Sequence, residues 1–276
     1  MRHRTNLSGG RWIAAEVVGS GPVILLLHGI PGAGAVWSGV RDRLAAHHRV
    51  IVPDLVGFGE SARSDDIREL WADAQAGATL EVLNELDAAR VIAVGHDFGG
   101  PVAAHLIAAA PNRFAGLVLA SANAFGDTPI PFPLSGILWP CVGGLWARML
   151  FSAPSLRMMV RRGVGPDAPR LDPSLYVGDR GQAEAIRVIF KTALRELAER
   201  YEPVTDTLRQ VRVPARVVWG DRDPFFPVSQ AERTAALMKG STVLVLPRAG
   251  HFLPGERPAE LAETITALCQ SVEGAS

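Results

Sequence analysis

The stretch at residues 95–100, with the sequence GHDFGG, constrains the fold of this chain more than any other part of it. It follows a short apolar run at residues 91–94 and precedes residues 101–107, which have helical spacing. Strand, tight turn and helix in this order predict a turn whose central residue, Asp97, is held in a strained backbone conformation. The flanking glycines are needed because the strand and the helix pack too closely for a Cβ atom. A carboxylate at the centre of such a turn favours displacement at carbon over acyl transfer by a hydroxyl.

The composition narrows the classes of protein to which the chain can belong. Of its 276 residues 48% are apolar, which is enough for a large core without a disulfide or a structural metal. Lys+Arg and Asp+Glu balance at 28 each, which argues against a surface that binds nucleic acid or an anionic membrane. Cys141 and Cys269 lack metal-ligand spacing, so we expect no metal site and a reducing, cytoplasmic location. No apolar segment follows Arg2 and Arg4, so we expect no signal peptide.

Residues 128–147 form a run without a charged side chain that is long enough to span a bilayer. Four prolines interrupt this run, and it lies in the middle of the chain after a predicted strand. We therefore predict no membrane span but a buried or substrate-facing lid segment. A contact of this segment with a membrane surface or with a second copy stays open, and we expect a monomer or a homodimer.

Short apolar strands alternate with helical patterns along most of the chain. This alternation predicts an α/β fold with a mostly parallel sheet covered by helices on both faces. Residues 125–205 break the alternation, because a Pro- and Gly-rich apolar run is followed there by Arg-rich helical patterns at 154–162 and 182–201. We predict a core at 1–124 and 206–276 and an inserted helical lid at 125–205. Strands are predicted at 11–18, 23–28, 50–55, 91–94, 117–121, 216–219 and 242–246, and core helices at 36–47, 68–86, 99–110, 229–238 and 256–269.

Three candidate catalytic side chains follow three predicted strands. Asp97, Asp223 and His251 come after the strands at 91–94, 216–219 and 242–246, respectively. Because open α/β sheets form their sites at the carboxyl ends of the strands, we expect these side chains to meet. The turn that contains Ile30 can direct its backbone N–H into the same place, where it would form an oxyanion hole with the N–H of Phe98.

Five ordered motifs carry a resemblance to a known family. They are HGIP at 28–31, DLVGFGES at 54–61, GHDFGG at 95–100, GDRD at 220–223 and GH at 250–251. With them the chain resembles the α/β-hydrolase superfamily, and within it the branch with an aspartate nucleophile: epoxide hydrolases, haloalkane dehalogenases and fluoroacetate dehalogenases. The resemblance covers nearly the whole predicted core, whereas the lid matches only in position and size.

The resemblance implies a mechanism and its residues. Asp97 would displace a leaving group at an sp³ carbon, which forms an ester between the substrate and the enzyme. His251, oriented by Asp223, would then activate a water molecule that attacks this ester. The backbone N–H groups of Phe98 and Ile30 would stabilise the oxyanion. We expect water as the co-substrate and no cofactor.

The leaving group distinguishes the members of this branch. Haloalkane dehalogenases usually hold the halide with a Trp after the nucleophile and often an Asn near the first motif, where this chain has Phe98 and Ile30. Fluoroacetate dehalogenases have an Arg after the nucleophile, which Phe98 does not match. Epoxide hydrolases need hydroxyl donors from the lid, and Tyr176 and Tyr201 both lie there. By elimination the sequence favours hydrolysis of an epoxide to a vicinal diol.

Two other functions stay open at this stage. A carbon–halogen hydrolase could use Trp139 or Trp146 as its halide donor, and a catalytically silent binding or biosynthetic accessory protein could retain the same fold. The apolar lid indicates a small apolar electrophile as substrate in either enzyme. We expect the substrate pocket to be lined by His28, Pro31, Phe125, Trp139, Trp146 and Phe252, although His28 could instead be structural.

Overall fold

An eight-stranded sheet forms the centre of the molecule in the computed structural model, which describes residues 1–130 and 132–274. The strands are β1 (Arg2–Asn6), β2 (Trp12–Val18), β3 (Val23–Leu27), β4 (Arg49–Pro53), β5 (Val91–His96), β6 (Phe114–Ala120), β7 (Ala215–Gly220) and β8 (Thr242–Leu246). Their order across the sheet is β1-β2-β4-β3-β5-β6-β7-β8. Strand β2 is antiparallel to both of its neighbours, and all pairs from β4 to β8 are parallel.

Helices cover both faces of the sheet. On one face α3 and α4 contribute to one apolar cluster, and on the other face α1 and α11 contribute to a second. Strand β5 lies between them and is buried along its whole length, which explains its continuous apolar sequence. The predicted α/β fold is confirmed. The helices are α1 (Ser38–Leu44), α2 (Ile67–Leu70), α3 (Ala72–Glu85), α4 (Gly99–Ala109), α5 (Gly143–Leu150), α6 (Ala153–Gly163), α7 (Arg180–Arg195), α8 (Leu197–Gln210), α9 (Ser229–Leu237), α10 (Leu253–Glu256) and α11 (Pro258–Glu273).

Several predicted elements differ in their bounds. Strand β1 was not predicted, because it is an edge strand of mostly polar residues in which only Thr5 is buried. The predicted helix at 68–86 is interrupted at Trp71, whose backbone is extended, and the one at 182–201 is interrupted at Glu196. Apolar spacing continues across these interruptions, so periodicity alone does not reveal a single non-helical residue. The last predicted helix, at 256–269, begins two residues later at Pro258 and ends at Glu273.

The chain between β6 and β7 carries α5 to α8. Its uncharged part forms a 3₁₀ helix at Leu134–Leu138 and most of α5, and among the described residues no helix is long and apolar enough to cross a membrane. Helix α8 runs without a break through residue 206, where we predict that the core resumes. The division into core and lid at 125 and 205 stays a prediction.

Close packing at the turn before α4 generates a stability prediction. A Cβ atom at Gly99 would lie 2.3 Å from the carbonyl oxygen of Leu27, whereas one at Gly77, on the exposed side of α3, would meet nothing within 4 Å. We expect Gly99→Ala to lower the free energy of unfolding by about 1–3 kcal/mol. The control Gly77→Ala should raise it by about 0.5–1 kcal/mol, since alanine favours the helix. Urea unfolding of both variants measures this, and equal effects would contradict it.

Candidate active site

Asp97 occupies the turn between β5 and α4 with a φ of 51°, in the left-handed region. Such a conformation costs about 1–3 kcal/mol in a non-glycine residue and persists only where the surroundings hold it. Here the Asp97 N–H donates to the carbonyl of Ala120 on β6 at 3.1 Å, and the Asp97 carbonyl accepts from Gly100 N–H at 3.0 Å. The turn is therefore attached both to the sheet and to the first turn of the helix.

The two oxygens of the Asp97 carboxylate have different surroundings. Oδ1 accepts a hydrogen bond from the backbone N–H of Ile30 at 2.7 Å. Oδ2 lies 3.6 Å from Nε2 of His251. The Asp97 side chain is 16% exposed, whereas that of His251 is 3% exposed. The carboxylate is thus held on one side by the backbone, faces the imidazole on the other, and stays partly exposed.

Asp223 orients the histidine from behind. Its Oδ2 lies 2.9 Å from Nδ1 of His251. Its Oδ1 accepts hydrogen bonds from the N–H groups of Phe225 and Phe226 at 2.8 and 3.0 Å. The neighbouring Asp221, another acid in the same motif, lies partly exposed near Arg222 instead. The structure thus brings Asp97, His251 and Asp223 together at the carboxyl edge of the sheet.

Burial and charge compete at all three side chains. Burial alone would raise the pKa of Asp97, but the hydrogen bond and charge of His251, with the Ile30 N–H, lower it below its usual value. Burial also opposes ionisation of Asp223, and the same histidine lowers the pKa of that carboxyl. Burial would lower the pKa of His251, yet the charges and hydrogen bonds of Asp223 and Asp97 raise it to about 10. The resting site is an imidazolium between two carboxylates.

A second histidine supports the first one. Nε2 of His96 lies 2.9 Å from the carbonyl oxygen of His251 and is the donor, because a carbonyl only accepts. Burial and the charge of His251 lower the pKa of His96 to about 4. His96 is therefore neutral, with its proton on Nε2, and it steadies the backbone of the catalytic loop without adding charge.

The buried Glu256 also holds the histidine loop. Its Oε2 accepts from the N–H groups of Gly250 and Gly165 at 2.8 Å, and its Oε1 accepts from Phe252 N–H at 2.9 Å. The N–H of His251 donates to the carbonyl of Gly163, at the end of α6, at 2.7 Å. The segment between β6 and β7 is thereby bonded directly to the loop that carries the histidine.

The two predicted tyrosine donors occupy different places. Burial and the negative charge of Asp97 raise the pKa of Tyr201, opposed by its contact with the side chain of Asn123. Burial also raises the pKa of Tyr176, but the charge that acts on it is that of Glu256. The Tyr176 hydroxyl lies against Gly255. Both phenols stay protonated at neutral pH, and Tyr201 is the one in the field of Asp97.

Phe98 and an unpredicted tryptophan form an aromatic wall beside the site. The Phe98 ring makes an edge contact with Trp71 at 5.6 Å, and Trp71 makes another with Tyr201 at 5.9 Å. Phe98 is the residue after Asp97 in the chain. Within the described residues, only the Ile30 N–H donates a backbone hydrogen bond to the Asp97 carboxylate, so the predicted role of the Phe98 N–H stays a prediction. The sequence does not indicate this role of Trp71, because the residue occupies one of the regularly spaced apolar positions of a predicted helix.

Four of the predicted pocket residues are buried, and their side chains contact other parts of the protein. His28 is fully buried, and its Nε2 accepts from Leu55 N–H at 3.0 Å, so the pocket prediction is wrong for it and it holds the turn. Phe125 packs under the guanidinium of Arg233, 3.8 Å from the ring centre. The Phe252 ring contacts the His251 ring at 5.1 Å. Pro31 is buried directly after Ile30.

Trp139 and Trp146 pack with other aromatic rings. Trp139 is 48% exposed and stacks on Phe132 with 6.3 Å between the ring centres, and its place in the pocket stays a prediction. The ring of Trp146 packs against that of Trp139 at 5.6 Å, and its indole N–H donates to the carbonyl of Pro133 at 2.8 Å. The exposure of Trp139 and the bonded indole of Trp146 count against their use as halide donors.

Other residues at the site had a weak signal or none in the sequence. Phe225 and Phe226 make edge contacts with the His251 ring at 5.0 and 5.5 Å. The sequence indicates these contacts only through the position of the two residues shortly after Asp223. Glu256 and Asn123 carry no such hint. Across residues 1–130 and 132–274, no three His, Cys, Asp or Glu side chains are grouped so that they could hold a metal ion.

The charges of the site generate a pH-dependence prediction. The pKa of His251 rises on folding from 6.5 to about 10, so its stabilisation is complete below pH 6.5 and is lost as the pH rises toward 10. The lowered pKa values of Asp97 and Asp223 contribute stability above their ordinary value of 3.8 that is lost as the pH falls. Wild type should therefore exceed His251→Gln in free energy of unfolding most clearly between about pH 4 and 6.5.

Urea unfolding across pH 4–10 measures this difference, with the exposed His47→Gln variant as the control. A difference for His251→Gln that does not change with pH would contradict the prediction.

Comparisons with known proteins agree with the fold. A model of the alpha/beta hydrolase family matches residues 24–264. An uncharacterised protein of Mycobacterium tuberculosis is 29% identical over 275 residues, which covers 95% of this chain and 79% of that protein. The 2-hydroxy-6-oxo-2,4-heptadienoate hydrolase of Pseudomonas putida is 28% identical over 271 residues, which covers 92% of this chain and 91% of the enzyme.

Solved structures of enzymes with different names share this fold. The epoxide hydrolase CorEH superposes with a TM-score of 0.79 at 20% identity over 99% of both chains. A haloalkane dehalogenase variant from Bradyrhizobium elkanii has a TM-score of 0.83 at 19% identity, over 100% of this chain and 98% of its own. A serine hydrolase of carbazole degradation has a TM-score of 0.79 at 22% identity over 98% of both chains. Since the family model covers most of the sequence, the chain belongs to the alpha/beta hydrolase family.

Proposed function

We propose that this hydrolase converts an epoxide to a vicinal diol through an ester on Asp97. The observation that carries the proposal is the arrangement of the Asp97 carboxylate, with the Ile30 N–H at 2.7 Å on one side and His251 Nε2 at 3.6 Å on the other. A carboxylate in this position can attack an sp³ carbon, and the same histidine can then activate water against the resulting ester.

In the first step Oδ2 of Asp97 is the attacking oxygen. Oδ1 is occupied by the Ile30 N–H, whereas Oδ2 has no backbone donor among the described residues and lies 3.6 Å from His251 Nε2. The lowered pKa of Asp97 keeps the nucleophile ionised at neutral pH. Attack on an epoxide carbon forms the carbon–oxygen bond of the ester and breaks one ring bond, so the departing oxygen needs a proton.

Tyr201 is the proposed donor of that proton. Its phenol is buried, stays protonated and lies in the electrostatic field of Asp97. Tyr176 is equally buried but is oriented toward Gly255 and Glu256. The site therefore has one phenol suited to an opening epoxide, instead of the two that sequence analysis considered.

In the second step His251 acts as the base. Formation of the ester removes the negative charge of Asp97, which is one of the two charges that raise the pKa of His251. Its pKa then falls toward neutrality, so the imidazolium returns a proton to the Tyr201 phenolate, and the neutral imidazole can take another from the attacking water. Asp223 holds the Nδ1 proton throughout. Water attacks the ester carbonyl, and the N–H groups of Ile30 and Phe98 stabilise the oxyanion.

Carbon–halogen hydrolysis is the second candidate, since the fold is shared with a haloalkane dehalogenase. It would use the same Asp97 ester but would need donors for a halide ion instead of an alkoxide. The exposure of Trp139 and the bonded indole of Trp146 count against the donors that sequence analysis suggested. The third candidate is a catalytically silent binding protein. The hydrogen bonds that orient Asp223 and His251 count against it, because binding alone does not require an oriented histidine.

Isotope incorporation tests the ester. In a single turnover in ¹⁸O-labelled water with a terminal aryl or alkyl epoxide, we expect the label in the Asp97 carboxylate and not in the first diol, because water attacks the ester carbonyl. Mass spectrometry of the peptide that contains Asp97 measures this. Label in the first product would exclude the ester route.

An intact-mass measurement distinguishes the two enzyme candidates. His251→Gln should accumulate the ester, since the base of the second step is removed. An added mass equal to that of the whole epoxide supports the proposal. An adduct only with haloalkanes, by the mass of the alkyl group, favours the dehalogenase. No adduct with either class, and full biological activity of Asp97→Ala, would favour the silent protein.

The two tyrosines provide a matched pair of variants. We expect Tyr201→Phe to lower kcat for epoxide opening by about 10²-fold or more, since general acid catalysis is lost. Tyr176→Phe removes an equally buried hydroxyl that does not face Asp97 and should leave kcat nearly unchanged. Steady-state and single-turnover rates measure both. Equal losses, or a larger loss in Tyr176→Phe, would contradict the assignment of the donor.

A further inference from the structure

The outer surface of α5 and the residues before it form an unusual apolar area. Leu145 is 72% exposed and Phe132 64% exposed, and four further large apolar side chains around them are also exposed. Monomeric proteins rarely leave contiguous apolar surfaces of this kind open to water unless they bind something. We call this area the outer lid patch, and it consists of Phe132, Leu138, Trp139, Val142, Leu145 and Met149.

Aromatic rings give the patch a rigid surface. The ring centres of Phe132 and Trp139 are 6.3 Å apart, and each lies 5.6 Å from that of Trp146. The Trp146 indole N–H donates to the Pro133 carbonyl, and this hydrogen bond holds the Trp146 ring in place against the other two rings. Tryptophan with aliphatic neighbours is the composition found at the interface between water and lipid.

The segment that carries the patch has charged side chains of a single sign. The segment 128–166 contains Arg148, Arg157, Arg161 and Arg162 and no Asp or Glu. All four arginines are exposed, and none forms an ion pair with a described residue. The balanced net charge of the whole chain predicts no surface for an anionic membrane, but that balance conceals this local excess. An exposed apolar face on a segment of net positive charge is complementary to anionic lipid.

A second copy of the chain fits this surface less well. In a symmetric dimer the same patch meets itself, so the four arginines would face each other across the axis. The segment offers no carboxylate to neutralise them. Helix α5, with 8 residues, is also far too short to span a bilayer, so the contact would lie on the membrane surface.

We propose that the outer lid patch docks this enzyme onto the surface of an anionic lipid bilayer. Trp139 and Leu145 enter the interfacial region, and the arginines contact lipid phosphates. The proposal does not depend on the reaction that Asp97 catalyses.

Vesicle co-sedimentation of the full chain tests the docking. We expect binding to vesicles of phosphatidylcholine with phosphatidylglycerol at low salt, weaker binding at high salt and little binding to phosphatidylcholine alone. Leu145→Glu should lower the partition coefficient by about tenfold or more, since it places a charge in the apolar face. Leu244→Glu, at an exposed apolar position on the edge strand β8 outside the patch, should bind as wild type does. Thermal unfolding confirms that both variants fold.

Two further measurements locate the contact. Arg148→Gln should weaken binding to anionic vesicles by about fivefold, whereas the exposed Arg43→Gln on α1 should not. Brominated lipids should quench the fluorescence of wild type and less that of Trp139→Phe, because Trp139 is more exposed than the other five tryptophans.

Three outcomes would overturn the proposal. The first is equal partition of wild type and Leu145→Glu, and the second is binding that does not depend on phosphatidylglycerol. The third is a dimer in solution that Leu145→Glu dissociates, without any binding of vesicles, which would assign the patch to a second copy of the chain.

Discussion

The site depends on close contact between the loop after β3 and the turn that carries Asp97. An added Cβ at Gly29 would lie 2.4 Å from Cβ of Asp97, and one at Gly99 would lie 2.3 Å from the Leu27 carbonyl. This contact brings the Ile30 N–H to the Asp97 carboxylate. Because backbone touches backbone, the position of the carboxylate is set by the sheet and not by flexible side chains.

Charge is organised around that position. His251 lies between two carboxylates, one accessible and one buried, and both raise its pKa. The buried carboxylate is satisfied by two N–H groups and is retained in every state of the proposed reaction. The accessible one is neutralised when an ester forms, so the chemistry itself changes the proton affinity of the base. His96 adds a neutral hydrogen bond to the same loop and leaves this balance unchanged.

The segment between β6 and β7 has an inner and an outer role. Gly163 and Gly165, at and after the end of α6, are bonded to His251 and Glu256. The negative charge of Asp97 also raises the pKa of Tyr201, which lies on α8 in the same segment. The outer side of α5 instead presents exposed apolar and aromatic side chains. The segment thus contacts the loop that carries His251 on one side and presents the surface proposed to bind lipid on the other.

The sequence by itself determined the fold and the order of the catalytic side chains. The buried strands read as continuous apolar runs, and glycines mark the turn at Asp97, because these constraints are local. Neighbouring residues in the chain cannot show which distant side chains meet. Only the tertiary structure set the charge of Asp97 on Tyr201 and that of Glu256 on Tyr176, bonded Glu256 to the histidine loop, and left Trp139 exposed. The interruptions at Trp71 and Glu196 and the edge strand β1 were also missed, since periodicity reports the buried face of an element and not the backbone angle of one residue.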